Sequence, residues 1–88
     1  MKAWVLHKEN DLRLETADRP TLKDNEVLIA VKAAGICGSD IPRIYQTGAH
    51  IHPLIPGHEF SGIVVQTGES ADPAWQGQRV GVFPLIPC

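Results

Sequence analysis

Two glycine-bracketed clusters constrain this chain more than anything else in it: Cys37-Gly38-Ser39-Asp40 and Gly57-His58-Glu59-Phe60-Ser61-Gly62. Between them they hold a thiol, an imidazole, a hydroxyl-bearing Ser39 and two carboxylates. Cys37 and His58 stand 21 positions apart (58 − 37), too far to share a helical turn, so only a fold can bring them together. If it does, Cys37, His58 and Glu59 form the donor set that a zinc ion accepts when one coordination position stays open for chemistry. The residues alone also leave a plainer reading open, a small buried thiol and a satisfied core histidine. The glycines flanking both clusters weigh toward the metal, because they let the backbone approach closely there.

A chain of 88 residues is long enough for one small domain that buries roughly 60% of its unfolded surface. Its core is therefore expected to be modest. With 43% hydrophobic and 20% charged residues, the composition is that of an ordinary soluble globular protein. Net charge is −2 and no two Lys or Arg are adjacent, so nucleic-acid binding has no electrostatic footprint. No apolar stretch approaches the length of a membrane span, and the short run before His7 and Lys8 is no signal-peptide core. A cytoplasmic setting is expected, where a metal is a better use of Cys37 and Cys88 than a disulfide.

Read in order, the pattern is mainly β. Lys2 to His7 and Leu12 to Thr16 predict a hairpin about an Asn10-Asp11 turn, closed off by Pro20. Glu26 to Gly35 is the longest strand signal, with a β-branched centre that suits burial on at least one face. It delivers the chain to the first cluster. Ser39 or Asp40 is placed to cap a short helix beginning near Pro42 and stopping at Gly48. Pro53 and Pro56 impose an irregular loop. Phe60 to Thr67 predicts a strand, Asp72-Pro73 a turn, Arg79 to Phe83 a last strand and Pro84 to Cys88 an extended tail. Short strands punctuated by Gly and Pro, with one brief helix, point to an all-β barrel or sandwich.

Further side chains have a chemical and a plain reading. Asp40 is either a helix cap or the carboxylate that accepts the second ring N–H of His58 and fixes its tautomer. Ser39 is either a cap or a hydroxyl that passes a proton. Arg43, His50 and His52 are either solvated loop residues or the wall of a pocket in which Arg43 meets a phosphate or hydroxyl. Trp4 and Trp75 read as packing residues. No Gly-x-Gly-x-x-Gly follows any strand, so the residues show no nucleotide-binding signature.

The second cluster, continued to Gly68 and Ala71, resembles the zinc signature of the medium-chain alcohol dehydrogenases, and Cys37-Gly38-Ser39-Asp40 resembles that family's first ligand motif at the matching distance. The resemblance runs the whole length of the chain. The segments Cys37 to Ile44, Gly48-Ala49-His50 and Pro84 to Cys88 are most similar to the branch of galactitol-1-phosphate and sorbitol dehydrogenases. It implies a GroES-like β-barrel and a catalytic zinc held by Cys37 and His58, with Glu59 as an exchangeable ligand. It also implies Ser39 as the proton-relay hydroxyl, Asp40 as the partner of His58, and Cys88 as the first cysteine of a structural-zinc lobe. Arg43 and His50 become substrate-binding candidates.

Members of that family also carry a structural-zinc lobe and a Rossmann domain. The expectation for residues 1–88 is therefore the N-terminal part of the catalytic domain, cut before both. The activity implied is NAD(P)-dependent oxidation of a secondary alcohol in a polyol or polyol phosphate to a ketone, in a homo-oligomer. The 88 residues alone are expected to be inactive, since the nicotinamide site is not among them, and the apolar tail invites self-association. The rival readings are a non-catalytic GroES-like binding module and a purely structural metal site that recruits His50, His52 or Cys88.

Overall fold

The computed structural model describes residues 1–83, so the extended tail expected at 84–88, Cys88 included, lies outside the described residues. Among the described residues, five strands, one short helical stretch and a 3₁₀ turn fall into two compact units, one made of Met1–Arg19 with Ile36–Gly57 and the other of Pro20–Gly35 with the described residues from His58 onward.

The first unit is built on the predicted hairpin. Strands β1 (Lys2–Lys8) and β2 (Asp11–Thr16) pair antiparallel from Lys2↔Thr16 to Lys8↔Asp11, with one irregularity between Leu6 and Lys8. Asn10 takes a positive φ of 63°, which asparagine tolerates better than most residues. Arg13 donates through Nε and Nη2 to the two Asp11 carboxylate oxygens at 2.7 and 2.8 Å, and this pairing holds the Asp11 carboxyl below its ordinary value. On its other side β1 is bridged by Leu54: Leu6 N–H donates to the Leu54 carbonyl at 2.7 Å, and Leu54 N–H donates back at 3.0 Å. Leu6 is fully buried and Val5 nearly so. The proline-rich loop is irregular, as its sequence demands, but it serves the core by supplying this third line of backbone.

The helix begins at Asp40, two residues before Pro42, where it was expected to start. Its α-helical part, α1, is only Asp40–Pro42 and widens at once into a π-helical stretch, Arg43–Thr47, that ends at Gly48. Widening changes which carbonyls are used inside the helix, and the Ile44 carbonyl accepts from Asn10 N–H at 2.6 Å. The hairpin turn and the helical stretch are tied together by that bond.

The second unit is a three-stranded antiparallel sheet in the order β3-β4-β5, from β3 (Val27–Gly35), β4 (Glu59–Thr67) and β5 (Arg79–Gly81). Its largest buried side chain is Val64, in the central strand. The β3–β4 ladder runs from Val27↔Thr67 to Gly35↔Glu59, with irregularities after Leu28 and after Val31. Burial is partial over Val27–Ala30 and lost over Val31–Gly35, so the strand's apolar reading holds for its first half only. Glu59 is the first residue of β4. The last strand is three residues long, shorter than its pattern suggested, although Val82 N–H still donates to the Phe60 carbonyl at 3.2 Å. Asp72 caps a 3₁₀ turn at Pro73–Trp75, accepting from Ala74 N–H at 2.9 Å.

Two glycines of the second signature are explained by close approach. A Cβ on Gly62 would lie 2.2 Å from the Ala30 carbonyl oxygen, and one on Gly68 would lie 2.3 Å from those of Lys23 and Asp24. Both obstacles are backbone, which has little room to yield. Gly62→Ala and Gly68→Ala should each lower stability by about 1–3 kcal/mol, the usual cost of overpacking. Gly81→Ala, facing open space, should stay within about 0.5 kcal/mol of the parent. Urea unfolding of the three variants beside the parent checks the contrast.

Candidate metal centre

The centre is assembled at the end of the β3–β4 ladder. Its last pair is Gly35↔Glu59; Cys37 follows Gly35 by two residues and His58 precedes Glu59 by one. Chain connectivity therefore tethers all three side chains to one end of one ladder, which is how positions 37 and 58 meet despite their separation in sequence. One ligand atom from each of Cys37, His58 and Glu59 lies within 4.8 Å of the other two. Cys37 and His58 are half-buried and Glu59 is exposed.

This donor set fits zinc: a soft thiolate, an imidazole nitrogen and a carboxylate, three protein ligands with room for a fourth group. His50 and His52 stand outside it. His52 instead accepts through Nε2 from Ala49 N–H at 3.1 Å, and His50 is exposed. Among the described residues the Cys37–His58–Glu59 group is the one that gathers three such donors. A closed structural site drawing on His50 or His52 has no support there.

Asp40 has a role its sequence position only half revealed. It is 4% exposed, and its Oδ2 accepts from the backbone N–H of Cys37 at 2.9 Å, while its own N–H donates to the Cys37 carbonyl at 3.0 Å. The carboxylate reaches backward across three residues, as the second half of a capping box does. It fixes the peptide of the candidate ligand. Oδ1 lies 3.5 Å from Arg43 Nη1, so the buried negative charge has a cation beside it, as burial requires. Ser39 occupies the N-cap position but makes no capping bond with its side chain, and it is exposed. Its hydroxyl is not committed to the helix.

Arg43 is half-exposed at the start of the π-helical stretch. Trp4 and Trp75 are both about half exposed, at 55% and 50%, and neither joins the centre. Cys88 lies outside the described residues. Sequence reasoning missed the Asp40–Cys37 bond and the facing of Gly35 and Glu59; the Cys-x-x-Asp spacing was the available signal for the first.

The longest ladder of this mainly β fold thus ends in a Cys/His/Glu group. The chain belongs to the alcohol dehydrogenase GroES-like domain family, which matches residues 23–88. It is similar to the sorbitol dehydrogenase of Bombyx mori, 42% identical over 91 residues that cover 98% of this chain and 26% of the relative. Its backbone superposes on the crystal structure of galactitol-1-phosphate dehydrogenase from Escherichia coli with a TM-score of 0.92 at 38% identity, covering 100% of this chain and 26% of that one. A structure described as a short chain alcohol dehydrogenase of E. coli CFT073, complexed with the cofactor NADH, matches with a TM-score of 0.87 at 41% identity over 100% of this chain and 26% of that one. The chain thus spans about a quarter of the length of the curated relatives it matches. Among the described residues no helix is long and apolar enough to cross a membrane.

Removing the Asp40 carboxylate should loosen the centre without touching a ligand. Asp40→Ala leaves the Cys37 N–H without its acceptor, at a cost of about 1–3 kcal/mol in stability. Zinc affinity should fall about 10- to 100-fold, as when groups that orient ligands are lost. Thermal melts and competition against a chromophoric chelator read the two effects, and unchanged zinc affinity would remove Asp40 from the centre.

Proposed function

We propose that this chain carries the alcohol-binding zinc centre of an NAD(P)-dependent dehydrogenase that oxidises a secondary alcohol of a polyol or polyol phosphate to a ketone. The observation that carries this reading is the meeting of Cys37, His58 and Glu59 within 4.8 Å in a chain of this family. Cys37 and His58 are the ligands that hold zinc, and Glu59, the exposed member, is the ligand that exchanges with water. When bound there, zinc supplies Lewis-acid polarisation that makes an alcohol proton easier to remove.

The chain's own side chains handle that proton and the substrate's position. Ser39, with its hydroxyl free of any capping role, accepts the proton from the substrate hydroxyl and passes it to solvent. Asp40 holds the Cys37 peptide and, in this reading, accepts the outer ring N–H of His58, so that the other ring nitrogen points to the metal. Arg43 presents a planar, permanently charged fork suited to the phosphate of a polyol phosphate, and His50 is the second substrate-binding candidate. The hydride acceptor is NAD(P), bound by residues outside this chain. The relatives named for sorbitol and galactitol 1-phosphate support the polyol class.

The test is a turnover assay. With zinc, NAD⁺ or NADP⁺, and sorbitol or galactitol 1-phosphate, the 88 residues alone should form no reduced nicotinamide, whereas the same residues within a full-length enzyme should form it. There, Ser39→Ala should lower kcat by about 10²–10⁴-fold, the range for a lost proton-transfer group. Turnover by the 88 residues alone would overturn the division of labour, and full activity of Cys37→Ala in the full-length enzyme would overturn the metal assignment.

A further inference from the structure

The last pair of the β3–β4 ladder is unequal: a glycine faces a glutamate. Directly opposed residues in an antiparallel pair project to the same side of the sheet, so the space that a side chain at Gly35 would fill lies beside Glu59. The Glu59 side chain uses it. A Cβ built on Gly35 would stand 3.0 Å from Glu59 Oε2, 3.5 Å from its Cβ and 3.7 Å from its carbonyl oxygen. The last two are ordinary contacts; the first is tight enough that the carboxylate must give way by a few tenths of an ångström. Because Oε2 is the far end of a flexible side chain, it can move at small cost to folding. What it cannot do is stay where it is, and one oxygen of the carboxylate it belongs to is among ligand atoms lying within 4.8 Å of one another.

Resting on the zinc reading above, we propose that Gly35 is a positioning residue for Glu59, its missing side chain forming the slot that lays the carboxylate over the end of β3 and into the ligand group. Gly35 touches neither metal nor substrate. Its effect passes through the Glu59 carboxylate and requires that carboxylate to be present. Stability should scarcely register the substitution, in contrast to Gly62 and Gly68, whose obstacles are rigid backbone.

The test is a double-mutant cycle with cobalt(II) as the probe, read in the visible and thiolate charge-transfer bands and in affinity by chelator competition. Gly35→Ala should melt within about 0.5 kcal/mol of the parent and bind cobalt about ten-fold more weakly, as when a group that orients a ligand is altered, with shifted visible bands. In the Glu59→Ala background, Gly35→Ala should change neither affinity nor bands, because the two effects run through one carboxylate. Should Gly35→Ala not fold, recovery of folding in Gly35→Ala/Glu59→Ala supports the slot and its absence overturns it. Unchanged cobalt spectra and affinity in Gly35→Ala, beside a parent that binds cobalt through Cys37, would overturn this inference and leave the zinc reading standing. A parent that binds no cobalt would overturn both.

Discussion

The β3–β4 ladder is the constraint on which the rest depends. Eight register pairs join residues far apart in sequence, and the ladder's final pair sets where the thiol, imidazole and carboxylate emerge. Each of the three lies within two residues of that pair, so little conformational freedom is left to lose when they gather. A metal site arranged this way has most of its ordering cost met by backbone pairing before any ion arrives. The ladder in turn needs Gly62 and Gly68. The strand could not lie against the Ala30, Lys23 and Asp24 carbonyls with side chains there, so the signature's glycines belong to the scaffold as much as its histidine belongs to the site.

The second support is Asp40, which works from the helical side. Its carboxylate holds the Cys37 N–H and lies beside the Arg43 guanidinium, so that one buried charge links the backbone of Cys37 to a cation. Under the proposed function, ligand geometry and substrate binding share this group. That sharing also explains why the helix starts at Asp40 rather than near Pro42: the reach-back bond and the Asp40 N–H to Cys37 carbonyl bond close the turn early.

Much of this was legible in the residues. The hairpin, the two long strands, the Asp72-Pro73 turn and the stop at Gly48 followed from alternation and punctuation, because those signals are local. Cys37, His58 and Glu59 were legible as candidates from their chemistry. Their meeting was not, since it depends on a register that periodicity cannot supply. The direction of the Asp40 bond was hidden for a related reason, as a short helix offers a carboxylate two neighbouring N–H groups and local sequence does not choose between them. Burial was overread in β3, where β-branched residues over Val27–Val31 suggested a covered strand and the second half is exposed. Leu54 reading as loop yet bridging β1 is the opposite case, a long-range contact that overrides two flanking prolines.

The proposed zinc site requires these residues to arrange the ligand group themselves. Its most direct test is the metal content of the purified 88-residue protein by plasma mass spectrometry, beside Cys37→Ala and His58→Ala. About one zinc per chain is expected, as for a single mononuclear site, and it should be lost in both variants. Protein that takes up no zinc, or that keeps its zinc after Cys37→Ala, would contradict it.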